Sequence, residues 1–243
     1  QLFRPMTNTP RQRNQADRAD RPSRSPWFTW VSIAAIGLAV LLPGSARPVQ
    51  AQAQNQTHSC DDPQDQGTMN RCAHEAWQRS DGELNQAYQA AIGRFRGNQQ
   101  TQLRRSQQAW LTFRDRECDF SSGQFEGGSM QPLIRYGCQD ALTKERLADL
   151  AAYQRGTIAT AQGEDLRRSD AALNRAYQAV LNGASGSQRS RLIAAERAWI
   201  QFRDRTCTFE GQFGWDNRTI DRCKIRLTDQ RTTGLTAYQS SSR

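Results

Sequence analysis

Histidine is almost absent from this sequence: among 243 residues only His58 and His74 are found. No CxxC pair accompanies them, so a zinc site of ordinary spacing has no ligand set to draw on. The strand-to-helix elbow G-x-S-x-G is missing too, since "GASGS" (183–187) breaks its pattern and reads as a turn. Phosphate-cradling loops and H-E-x-x-H spacing do not occur either. Neither a metal nor a cofactor is expected, and no catalytic residue is assigned. Proline is scarce at eight residues, and no alternating apolar and polar run appears after residue 53. That pattern excludes a sheet-based architecture. The longest apolar run, "WFTWVSIAAIGLAVLL" (27–42), has 16 residues, short of the roughly 20 that cross a bilayer. No cysteine precedes Cys60, so a lipid-modified cysteine next to that run is excluded.

Charge is present in quantity but unevenly placed. The net charge is +9, of which residues 1–53 supply +5 from seven Arg and two Asp. The remaining chain carries 26 Lys and Arg against 22 Asp and Glu, a net of +4. No concentrated basic stripe remains downstream, and nucleic acid is not an expected partner.

The N-terminal segment reads as an address. "RQRNQADRADRPSRSP" (11–26) is polar and Arg-rich, the apolar run follows, and Pro43 and Gly44 end it. "VQAQA" (49–53) then offers small residues at cleavage spacing after Ala51 or Ala53. Residues 1–53 are therefore expected to be a disordered N-terminus and secretory signal, and the membrane to be met only through this segment if it is retained. The expected destination is the periplasm or the extracellular space.

The mature part states one phrase twice. "AWLTFRDRECDF" (109–120) and "AWIQFRDRTCTF" (198–209) agree at eight of twelve positions with an offset of 89. Upstream, "DGELNQAYQA" (81–90) answers "DAALNRAYQA" (170–179) at the same offset. Downstream the offset is 85: Cys138, Thr143, Arg146, Leu150 and Tyr153 answer Cys223, Thr228, Arg231, Leu235 and Tyr238. Fixed spacing within elements and a length change between them is the mark of an internal duplication.

Each copy reads as three helices. In the first, Trp77, Leu84, Tyr88, Ala91, Ile92 and Phe95 follow helical spacing, as do Leu103, Trp110, Phe113 and Cys118. Cys138, Leu142, Leu150 and Tyr153 give the third stripe, while "GN" (97–98), "SGQFEGGSMQP" (122–132) and "GASGS" (183–187) punctuate them. The fold class is all-α, with two tandem three-helix modules near 55–155 and 160–240.

All six cysteines lie after the leader, and an even count suits an oxidising compartment. Cys118 ends the second helix and Cys138 lies in the third, so a bond between them closes the intervening loop, and Cys207 with Cys223 does the same in copy two. Cys60 and Cys72 remain for each other. Each crosslink is expected to contribute about 3 kcal/mol, which matters in a module with a thin core. Copy two has no early pair and is the truncated module, expected to lean on the first.

Two charges fall inside apolar stripes. At about 100° per residue, Arg114 lies about 40° from Trp110 and Asp81 about 60° from Leu84. A buried charge is tolerable when paired, so Asp81 is expected to pair with Arg114 and Asp170 with Arg203, with Arg146 and Arg231 as second partners. An acid–base site built on Asp81, Asp115 and Arg114 is the rival, and it lacks both a histidine and an inferable cleft.

Taken together, Cys60, "MNRCA" (69–73), "DGELNQAY" (81–88), "AWLTFRDREC" (109–118), "EGGS" (126–129) and "CQDALTKERLADL" (138–150) resemble the LprI-like lysozyme-inhibitor family. Copy two matches from Asp170 to Leu235, with "EGQFGWDN" (210–217) in place of the Gly-Gly-Ser loop. The resemblance implies a helical, disulfide-bonded, non-enzymatic exported domain, with lysozyme as the leading specific partner. "EGGS" reads first as a flexible link before the third helix, since Gly-rich loops between helices are ordinary turn chemistry. If the chain inhibits, the expected contact is this loop of Glu126, Gly127, Gly128 and Ser129, with Arg135 as a charge offered to the carboxylates of a lysozyme cleft, and the first module alone is expected to carry the activity. The alternative is an envelope-associated module that binds peptidoglycan or an anionic surface without inhibiting anything. The sequence assigns no oligomeric state.

Overall fold

The structure is a computed structural model, and it describes residues 60–158, 165–213 and 218–241. The expected leader at 1–53 and its apolar run lie outside the described residues. Six helices follow in order: α1 (Gln66–Gly93), α2 (Gly97–Gly123), α3 (Gln131–Gln154), α4 (Leu166–Gly183), α5 (Gly186–Glu210) and α6 (Arg218–Ser241). No strand occurs among the described residues. No described helix is long and apolar enough to cross a membrane.

Local chemistry sets the helix boundaries. Asp65 precedes α1 and its carboxylate accepts the Thr68 N–H at 2.8 Å and the Thr68 hydroxyl at 2.7 Å. Asp165 does the same work before α4, accepting the Arg167 N–H at 2.9 Å. Such caps contribute about 1 kcal/mol each by satisfying amides that have no partner in the first turn. Gly97 and Gly186 open α2 and α5 at equivalent positions of the repeat, with φ of 57° and 51°. Only glycine enters that left-handed region without a Cβ clash.

The cysteines are bonded as 60–72, 118–138 and 207–223, with none free. Three such bonds mark a protein of an oxidising compartment. In each copy the later bond ties the C-terminal end of the second helix to the third helix.

Packing departs from two self-contained bundles. α1 lies mainly along α3 and α4 along α6, whereas α2 packs most extensively on α5 of the other copy. The two run antiparallel, since Phe113 meets Phe202, Ser106 meets Thr206, and the Phe120 carbonyl meets Gln188. The Phe113 and Phe202 rings, equivalent in the repeat, stack at 5.6 Å with planes 2° apart. Buried apolar residues of both copies form one continuous cluster, and the described residues make one compact unit. The repeated phrase thus builds a core shared between the copies. The sequence could place Trp110 and Phe113 on a buried face but not say which helix covers it.

A fragment of residues 54–158 should therefore expose the α2 face that α5 covers. We expect it to associate, α2 against α2, or to lose fixed packing. Light scattering and near-UV circular dichroism distinguish these outcomes from a well-packed monomer, which would show that one copy closes its own core.

Candidate functional site: an anchored loop and a central groove

The loop after α2 is short and heavily constrained. Past the Cys118–Cys138 bond, the Phe125 N–H donates to the Ser122 carbonyl at 3.0 Å and the Gly128 N–H to the Phe125 carbonyl at 2.9 Å. Gly127 takes φ 75°, and its N–H donates to Gln131 Oε1 at 3.1 Å. Two long-range contacts fix the loop's ends. Asn70 of α1 donates to the Ser129 carbonyl at 2.9 Å, and Arg191 of α5 pairs with Glu126 at 2.5 Å. Glu126, Gly127, Gly128, Ser129 and Met130 are all exposed.

Arg135 is not an uncommitted charge. It lies one turn into α3 and pairs with Asp119 of α2 at 2.8 Å. Asp119 in turn lines a shallow cavity with Arg116 and Arg191. Around the loop there are thus three guanidinium groups, at 116, 135 and 191, and two carboxylates, at 119 and 126.

The charges in the apolar stripes divide into two kinds. Arg114 Nη1 lies 2.8 Å from Asp81 Oδ1, and Arg203 Nη1 lies 3.4 Å from Asp170 Oδ1. Both guanidinium groups cover a tryptophan at 5.1 Å, Trp110 and Trp199 respectively. Arg146 and Arg231 do not join them as second partners. Arg146 donates to Gln107 Oε1 at 3.0 Å and Ser106 Oγ at 3.0 Å, with Asp149 at 3.2 Å. Arg231 pairs with Glu196 at 3.0 Å and, across the copies, with Glu117 at 2.8 Å. The reason is geometric: these two arginines sit on the side of the central pair that faces the other copy. Arg146 covers the Phe202 ring and Arg231 the Phe113 ring, each at 5.6 Å.

Further contacts between copies went unread in the sequence. Tyr153 donates to Glu210 Oε1 at 2.6 Å, and Arg226 donates to the same oxygen at 2.7 Å. Burial pushes the Glu210 carboxyl above its ordinary range, with Arg226 pulling it back. Glu196 is raised in the same way against the pull of Arg231. One signal was available: Gln107 and Glu196 occupy equivalent positions, as do Arg146 and Arg231, so one conserved pairing geometry is repeated with different chemistry.

Over the stacked rings lies a groove with Leu142 and Leu227 as walls and Glu145 and Gln230 above them. Its two halves are equivalents of one another, with volumes of about 140 Å³ and 50 Å³. Loss of water raises the Glu145 carboxyl, and the negative charge of Asp149 adds to the effect. Two-carboxylate hydrolysis needs a second acid across a bound substrate. Asp149 is one turn along the same helix and is committed to Arg146 and, at 3.6 Å, to Arg226. Glu117 lines the same groove and is paired with Arg231 at 2.8 Å, so each carboxylate beside Glu145 is held in an ion pair.

Fold and surface together define an internally duplicated, disulfide-stapled helical domain in which the loop after α2 is exposed and anchored. Its sequence matches the model of the family described as "Lysozyme inhibitor LprI" twice, over residues 60–150 and 151–235. The chain belongs to that family. An uncharacterized protein of Rhizobium meliloti (strain 1021) is 29% identical over 130 residues, which is 48% of this chain and 91% of that one. A crystal structure of a protein from Burkholderia thailandensis covers 81% of this chain and 98% of its own, with a TM-score of 0.56 and 21% identity. That likeness concerns the fold.

Two outcomes test this electrostatic layout. Arg231→Ala should cost about 3–5 kcal/mol, because two carboxylates are left facing each other in the interior. Arg114→Ala should cost less, about 1–2 kcal/mol, because Asp81 is one-third exposed and can rehydrate; urea unfolding of both variants checks the order.

The second outcome concerns Glu145. A carboxyl with a raised folded-state pKa adds stability below its ordinary value of 4.5 and loses that contribution as pH rises through the folded value. Glu145→Gln should therefore melt above the parent at neutral pH, and the two melting curves should converge below that ordinary value.

Proposed function

We propose that the chain is an exported, non-catalytic protein of the periplasm or extracellular space that binds lysozyme and blocks its turnover. The observation that carries this reading is the loop Glu126–Ser129, exposed yet held from both copies by Asn70 and Arg191. A loop ordered before binding loses little conformational freedom on entering a cleft. Family membership supplies the class of target. The net charge of +4 after residue 53 does not steer the chain toward a basic lysozyme, so recognition rests on fit at the loop. Because Arg135 is engaged by Asp119, its role is to hold α2 and α3 behind the loop. Since the copies share one core, the activity belongs to the whole chain and not to the first copy by itself.

A second reading, binding to an anionic envelope surface, is favoured by the exposed Arg104, Arg105 and Arg116 of α2 and Arg197 and Arg205 of α5. Turnover of cell-wall substrate by lysozyme, titrated with the purified protein, decides between them. We expect inhibition at about 1 µM and at least a roughly tenfold loss when residues 126–129 are replaced by a neutral linker. Inhibition that survives the replacement moves the contact to a helical face. No inhibition at all leaves the envelope reading, which a peptidoglycan pull-down with Arg104 and Arg105 changed to Ser then examines.

A further inference from the structure

The two ends of the central helix pair are equivalent in the repeat but are not filled alike. At one end Phe95 and Tyr153 of copy one meet Phe209 and Phe213 of copy two. Phe209 contacts Phe95 at 5.2 Å, Tyr153 at 4.9 Å and Phe213 at 5.3 Å, each edge-on. At the other end the offsets of 89 and 85 put Phe120 for Phe209 and Tyr238 for Tyr153, and those two rings still meet at 4.5 Å. The other two positions change: Ala184 stands for Phe95 and Gln124 for Phe213. Where two phenyl rings close the first end, the second has a cavity of about 450 Å³ lined by Gln124, Val180, Ala184, Gln188, Tyr238 and Gln239, among others. That volume lies within the range of roughly 300–1,000 Å³ of small-ligand sites.

We propose that this cavity receives the aromatic side chain of a partner polypeptide, a Phe or Tyr ring together with its neighbouring peptide groups. The first end of the molecule shows that this packing frame accepts phenyl rings edge-on, the geometry that aromatic quadrupoles favour. Among the described residues no lining side chain carries a formal charge, so an ionic ligand would lose its water and find no counter-ion there. The exposed Gln124 amide offers both a donor and an acceptor, which is what a peptide backbone requires. Gln188 keeps the floor in place: its Nε2 donates to the Phe120 carbonyl at 2.7 Å and to the Tyr238 hydroxyl at 3.0 Å. The cavity also adjoins the exposed loop, because Gln124 is two residues before Glu126 and Gln188 lies three residues before Arg191, the partner of Glu126. The site does not depend on the partner's being lysozyme.

Titration of the ¹⁵N-labelled full chain with N-acetyl-tyrosinamide tests the proposal, beside N-acetyl-leucinamide and p-cresol. We expect saturable shifts centred on Gln124, Ala184, Ser185 and Gln188, with the leucine amide at least about tenfold weaker. Ala184→Phe combined with Gln124→Phe copies the filled end, and it should melt no lower than the parent and abolish the shifts. Ala184→Phe alone, the smaller change, should weaken binding if the double variant does not fold. The proposal is overturned if no saturable shift appears up to about 10 mM probe, or if the leucine amide binds as well. Equal binding of p-cresol would overturn the assignment to a polypeptide, and binding retained by the filled variants would place the ring elsewhere.

Discussion

Everything in this fold turns on one contact, the stacked pair of Phe113 and Phe202 at the crossing of α2 and α5. Two phenyl rings in a parallel stack make a hydrophobic contact that helices of one copy alone do not complete. Each ring is covered by an arginine of a third helix, Arg231 over Phe113 and Arg146 over Phe202. Those arginines are then paired with Glu196 and Glu117 on one side and with Gln107, Ser106 and Asp149 on the other. A guanidinium stacked on a ring keeps its in-plane donors for hydrogen bonds while its face stays apolar. The disulfides act around this centre, fixing where α3 and α6 begin relative to the paired helices.

Much of this was legible from the residues, and the limits have physical causes. Helical spacing and offset of 89 identified the helices and the repeat, and the cysteine positions determined the bonding. The wheel set Asp81 beside Arg114 because both project from apolar stripes that must meet. A wheel reports which face of a helix is buried and is silent about what covers it, so the pairing of α2 with α5 was not accessible. The partners of Arg146 and Arg231 were lost for the same reason. Glu117 and Glu210 look like ordinary surface acids in sequence, and only a neighbour from the other copy makes them interior groups.

The loop shows how far composition misleads about rigidity. "EGGS" reads as a flexible link, since two glycines impose few backbone limits. In the structure Gly127 is held by Gln131, Ser129 by Asn70 and Glu126 by Arg191. The restraint comes from residues up to 65 positions away in sequence, and local sequence contains no trace of it.

Joining both copies in one chain has a consequence for what the molecule can become. Two identical chains arranged about a twofold axis must carry every substitution twice, so whatever closes one end closes the other. A tandem chain keeps the geometry of such a pair without that bond between its halves. Position 95 can be phenylalanine while position 184 is alanine, and Ser121 can stand where its counterpart is Glu210. The same scaffold thereby acquires a front and a back, one shut by rings and an ion pair, the other left open to the surroundings.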